Sequence, residues 1–256
     1  MTTRDDAQRT SPKADERAIP QYSLPKILLM YAWPVAWFVF LIYVVGPAFV
    51  RPDGTYPLWG HNLIGVLGNG AELIAALLIF RREGYRLTPK ALRERINLRF
   101  PDKVWKWGAS VGAFVVAVGL VLLAVPLEAK IATVLPPPGW MPDHPLHEVS
   151  TLREPSTDSH LIGKVLSWIY QFVVVGWIAN YIGEGLYYRA ALQPKLRGVF
   201  GKWSWVAAGV GFGLKHLYFW WRVPYLVPVG LALGFLYGPM GSLPLALFFH
   251  WLGNVL

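Results

Sequence analysis

The chain has 256 residues, of which 54% are hydrophobic and 15% charged, with 13 Trp and a formal charge of +9. That balance excludes a soluble domain and describes an all-α, polytopic transmembrane bundle, an integral multi-pass membrane protein. Cys is absent, which excludes disulfides, thiol catalysis and thiolate metal sites.

Residues 1–26 are polar and carry Arg4, Arg9, Lys13, Arg17 and Lys26. With no apolar core or small-residue cleavage site, they read as a disordered cytoplasmic tail ahead of a signal anchor, not as a removed leader. The bundle then occupies 27–256, with about seven spans expected near 27–49, 58–80, 105–126, 165–188, 203–221, 225–240 and 243–256. Pro228 and Pro239 in the sixth, and the shortness of the seventh, predict a broken or re-entrant hairpin at this end.

Loop charge sets the expected orientation. Arg81, Arg82, Arg86, Lys90, Arg93, Arg95, Arg99 and Lys103 crowd the second loop, and Arg189, Lys195, Arg197 and Lys202 the fourth, whereas 127–164 is acidic on balance. The N-terminus and the basic loops are therefore expected in the cytoplasm. The surplus charge calls for anionic lipid headgroups as partners and for no nucleic acid. Residues 92–99 alternate basic and apolar side chains, as an interfacial helix would, or form an ordinary positive-inside loop. Asp143, His144, His147 and Glu148 have the composition of a metal cluster. Pro136, Pro137, Pro138, Pro142 and Pro145 break any helix that would align them, so no site is expected there.

Ionisable groups within apolar spans cost about 2.5–3.5 kcal/mol each on insertion scales, so their presence is a functional signal. Three constellations stand in the C-terminal third: Glu184 with Arg189, Phe212 with His216, and His250 with Asn254. The structural alternatives are a snorkelling charge pair for the first and satisfied core histidines for the others. In an α-helix five residues advance about 500°, which turns Glu184 and Arg189 apart and weakens the charge-pair reading. Phe212 and His216, and likewise His250 and Asn254, share a face at i, i+4. The glycines at 209, 211 and 213 follow no strand and are expected to admit a close helix rather than a nucleotide.

The order Glu-x4-Arg, Phe-x3-His and His-x3-Asn, with Gly241-Ser242-Leu243-Pro244 ahead of the last, resembles the CPBP family of intramembrane proteases, which includes type 2 CAAX prenyl endopeptidases and bacterial Abi proteins. The resemblance covers roughly 165–256. It implies an intramembrane endopeptidase in which Glu184 activates a water, His216 positions it, and His250 and Asn254 donate to the oxyanion. No cofactor is required; the substrate would be a peptide or membrane protein, possibly one processed at its C-terminus. One departure stands out: a second Glu is usual after the first, and here Gly185 takes its place.

Two other readings are open. Gly185 suits an inactive scaffold or regulator of the same fold. Glu184, His216 and His250 form a chemically adequate set for zinc, giving a zinc-dependent peptidase. On the second span, Glu72 lies about 12 Å from the inner end, between the expected depths of Arg189 and Lys215. It is expected to face a water-filled cleft alone, or to pair with one of those cations in place of the carboxylate missing at 185.

Overall fold

The computed structural model describes residues 19–50, 58–136 and 170–255, and among them all regular structure is helical. Helix α1 spans Leu24–Phe40, with a proline in its first turn where the missing N–H costs nothing, and continues through a wider turn, Leu41–Val45, and a tighter one, Gly46–Phe49. Helix α2 (Leu58–Arg82) ends on Arg81 and Arg82, cations that complement the carbonyl end of the helix dipole. Helix α3 (Pro89–Arg95) follows a Thr88 cap, whose Oγ1 accepts from the Ala91 N–H at 3.3 Å. Helix α4 (Val104–Val134) extends well beyond the apolar run expected at 105–126.

The C-terminal part is more broken. Helix α5 (Tyr170–Leu192) is wound in the wide π form and runs into short turns that end at Trp203. Helix α6 (Ser204–Leu214) gives way to a kinked segment, Lys215–Arg222, in which His216 and Phe219 leave helical geometry. Helices α7 (Val223–Tyr237) and α8 (Leu243–Val255) follow, joined by a turn whose Gly241 adopts φ +71°.

The protein is an integral membrane protein. Among the described residues four helical stretches are long and apolar enough to cross a bilayer: Leu24–Phe49, Leu63–Arg82, Val104–Val134 and Asn180–Tyr237, the last containing the breaks just described. The regions expected as three final spans hold helices of 11, 15 and 13 residues. At about 1.5 Å per residue each is shorter than the ~30 Å hydrocarbon layer. Val115, Val116, Leu122 and Leu123 of α4 are exposed, as lipid-facing side chains must be.

Packing explains the glycines. A Cβ on Gly209 would stand 2.6 Å from Leu231 Cα, and one on Gly230 2.2 Å from Gly209 O, so α6 and α7 approach backbone to backbone. Gly183 does the same for α5 on α2, where a Cβ would lie 2.6 Å from Asn69 O. The larger apolar core gathers Phe80, Tyr187, Leu192, Phe212, Leu236 and Leu243 from α2, α5, α6, α7 and α8.

At one end of the bundle Glu83 is buried under two cations. Arg95 grips it through Nε at 2.7 Å and Nη2 at 3.0 Å, and Lys195 approaches to 2.5 Å. Arg95 also donates to Ala190 O, and Lys195 to Pro20 O. This clasp corrects the interfacial-helix expectation for 92–99: α3 stops at Arg95, Asn97 turns with φ +52°, and Arg95 points inward to a carboxylate instead of outward to headgroups. Residues 1–18 of the expected tail, and Asp143, His144, His147 and Glu148, lie outside the described residues. Gln21 Oε1 accepts from the Gly198 N–H and the Tyr22 N–H donates to Lys195 O, so the chain ahead of α1 is fastened to the turns after α5.

Candidate active site

The close α2–α5 contact sets two carboxylates near one another, Glu72 and Glu184, 0% and 5% exposed. Two charges this near require a cation, and Lys215 supplies it from the point where α6 loosens. Its Nζ lies 2.7 Å from Glu184 Oε1 and 3.2 and 3.3 Å from the two Glu72 oxygens. Rings of Tyr188, Phe212 and Phe38 surround the ammonium at 4.8, 5.4 and 5.4 Å as cation–π contacts. Tyr188 OH donates to Glu72 Oε1 at 2.9 Å. Glu72 therefore faces Lys215, and it does not reach Arg189.

With Oε1 occupied by Lys215, the other oxygen of Glu184 faces His250, whose Nε2 stands 3.7 Å away, beyond hydrogen-bond reach. Tyr181 and Phe212 hold the His250 ring edge-on, at centroid distances of 5.1 and 5.8 Å. The ring of His216 stands 5.2 Å from that of Phe212, and its Nδ1 is 3.0 Å from Phe212 O. A carbonyl can only accept, so Nδ1 carries a proton in this contact, and a neutral ring would then leave Nε2 as an acceptor. Asn254 lies in α8, but its side chain is outside the described ones.

Glu184, His216 and His250, from α5, the kinked segment and α8, line one cavity of about 270 Å³. Its remaining wall is mixed: Phe38, Ile42, Ile64, Tyr218 and Phe219 beside Asn69, Asn180 and Arg222. Irregular backbone at membrane depth is tolerated where it lines such a cavity, which accounts for the non-helical φ/ψ at His216.

Helix α6 gives way at Lys215, and His216 in the kinked segment lines the same cavity as Glu184. One helix-geometry expectation changes. Glu184 and Arg189 are not turned far apart: the wider π winding brings i+5 closer to the face of i than an α-helix does, and both line a second, smaller cavity with Gly185, Phe212 and His250. They form no ion pair within 4 Å. Arg189 is 2% exposed, lies over the Phe212 ring at 4.5 Å and donates a long 3.5 Å bond to Ala208 O. A Cβ at 185 would meet Leu247 Cδ2 at 2.2 Å, so Leu247 occupies the space a second carboxylate would need.

Sequence reasoning missed Tyr188, Leu247 and Asn180. Tyr188 sits four residues after Glu184 in an apolar span, a signal that was available; the other two owe their places to packing alone. Among the described residues no three His, Asp or Glu side chains converge as a metal cluster. A metal ion on Glu184 would also meet the Lys215 ammonium at Oε1, a like charge in a buried setting.

Fold and site together define a polytopic helical membrane protein whose ionisable side chains are buried around an internal cavity. Residues 166–256 match the family model described as type II CAAX prenyl endopeptidase Rce1-like, and all three motifs fall inside that match. This match supports the family resemblance read from motif order over this segment. Glu72 lies outside it. Neither a curated protein nor a solved structure matches the chain.

Proposed function

We propose that the protein is an intramembrane endopeptidase of CAAX-protease type that hydrolyses a peptide bond with a Glu184-activated water. The observation that supports this reading most is the convergence of Glu184, His216 and His250 from three separate segments on one cavity of about 270 Å³. Lys215 holds Glu184 Oε1, which leaves Oε2 to take a proton from water. The acceptor Nε2 of His216 orients that water. Hydroxide adds to the peptide carbonyl carbon, and the oxyanion accepts hydrogen bonds from His250 and Asn254, each worth about 2.7–4 kcal/mol in comparable sites. Glu184 then returns its proton to the leaving nitrogen as the C–N bond breaks. No covalent enzyme intermediate and no metal enters these steps, because Lys215 already supplies the positive charge beside the base.

Purified protein with Glu184→Gln, assayed on peptides or a membrane-protein substrate, tests the base. Unchanged cleavage sinks the mechanism. Cleavage by the native chain that survives a strong chelator supports the metal-free reading, and stoichiometric zinc with chelator-sensitive loss overturns it in favour of Glu184, His216 and His250 as ligands. A folded native chain with no cleavage of any substrate favours the scaffold reading.

The proposal includes an orientation. The N-terminus and residues 85–100 face the cytoplasm, and 140–155 face the other side, by the bias of Lys and Arg between loops. Single-Cys labelling, clean in a chain without native Cys, reads this directly; labelling of both loops from one side overturns it.

A further inference from the structure

The buried guanidinium of Arg189 is the least satisfied charge in the described bundle. Its Nη1 makes one 3.5 Å bond, and its Nη2 has no hydrogen-bond partner. A buried charge left this way costs several kcal/mol, so an occupant is physically demanded. Beside it lies the small cavity, about 10 Å³, lined by three polar side chains: Glu184, Arg189 and His250. A single buried water requires roughly 10–15 Å³ on this measure and two to four polar partners. Size and lining both match.

We infer that Arg189, Glu184 and His250 hold one ordered water in this cavity, and that Arg189 positions the Glu184 carboxylate through it. The water accepts from Arg189 Nη2 and donates to Glu184, with His250 as a third partner. The 3.7 Å gap between Glu184 Oε2 and His250 Nε2, too long for a direct bond, suits a bridged contact. Glu184, Phe212 and His250 line this cavity and the 270 Å³ one alike, so Glu184 forms part of the wall between them. Lys215 restrains one oxygen of Glu184 and the Arg189-bound water restrains the other.

Gly185 leaves room at the site. A Cβ there would stand 2.2 Å from Leu247 Cδ2, and both residues line the cavity, so a substituent competes with Leu247 for space beside the water. The glycine that removes a carboxylate next to Glu184 therefore makes room for a water that links Arg189 to Glu184 instead.

This inference deepens the peptidase reading for its kinetic part only; the water site itself is read without activity. A crystal or cryo-EM structure of the full chain, at a resolution that shows ordered water, should place a peak within hydrogen-bond distance of Arg189 Nη2 and Glu184. No peak there overturns the site, and so does an anomalous bromide peak after exchange of chloride for bromide, which would make it an anion site. Gly185→Ala should lose the peak and lower kcat about tenfold or more with KM within about twofold, since small misplacement of a base costs rate rather than binding. Gly185→Ala combined with Leu247→Ala should restore both. Arg189→Lys should keep part of kcat where Arg189→Met does not. Loss of the peak with unchanged kcat overturns the positioning role. A native chain that shows the peak but cleaves nothing contradicts the peptidase reading and leaves the water site standing.

Discussion

Two buried charge clusters of three residues each occupy this bundle, and their stoichiometry is inverted. At one end a single carboxylate, Glu83, is held by two cations, Arg95 and Lys195, each of which also donates to a backbone carbonyl. In the interior a single cation, Lys215, is shared by two carboxylates, Glu72 and Glu184, beside a cavity. The first cluster uses up the hydrogen-bonding capacity of its carboxylate and joins α2, α3 and the turns after α5. The second leaves one oxygen of Glu184 without a cation, beside a cavity. Saturated charge suits architecture; on the proposed function, the unsaturated charge beside the cavity serves the chemistry.

That contrast is tested most severely by exchanging the outcomes. Glu184→Gln should lower kcat by about 10²–10⁴ while leaving thermal stability in detergent near that of the native chain, because it keeps shape and loses proton acceptance. Glu83→Ala should do the reverse. It strands Arg95 and Lys195 at a cost of about 3–5 kcal/mol, while the fraction that remains folded keeps its native kcat. A folded Glu83→Ala protein without activity would erase the distinction between the clusters.

Intermediate effects belong to the shared cation. Glu72→Gln should destabilise the protein by about 1–3 kcal/mol, since Tyr188 and Lys215 lose a charged acceptor but keep a neutral one. Lys215→Met should cost more, and combining the two should cost less than their sum, because each removes the other's partner. Additivity in denaturation of the purified variants would show that Glu72 and Lys215 do not act as a pair.

The smallest effect is a pH dependence of the clasp. Burial alone would raise the Glu83 carboxyl, but hydrogen bonds and charge from Arg95 and Lys195 outweigh it and hold the group below its ordinary value. A depressed carboxyl contributes stability that is fully present above the ordinary carboxylate range and lost as pH falls through the folded value. Melting temperatures of the native chain and of Glu83→Gln should therefore draw together on acidification. A difference that widens at low pH would assign the clasp another source of strength.

The sequence showed the class of the protein and singled out the residue types of its candidate site because both are one-dimensional signals. Apolar runs, loop charge and the rule that intramembrane charges are costly marked the bundle, Glu184, His216, His250 and even Glu72. Helix existence followed the hydropathy closely: α2, α4 and α8 start within a residue of expectation. The depth and direction of those side chains were not legible. They depend on breaks in helix geometry, the π winding of α5 and the loosening of α6 at Lys215, which tertiary packing selects.

Arg189 illustrates the limit. Ideal α geometry turned it away from Glu184, whereas the wider winding of α5 set both on one small cavity. The missing carboxylate at Gly185 was visible in the sequence; that Leu247 fills its place was not, because Leu247 comes from a helix more than fifty residues later in the chain. Composition and spacing determined that this chain sets carboxylates, cations and imidazoles within the apolar spans of a membrane bundle. Only the packed structure decided which cation meets which carboxylate, because near neighbours in a bundle are fixed by close helix contacts at Gly183, Gly209 and Gly230, and no local periodicity encodes who stands across them.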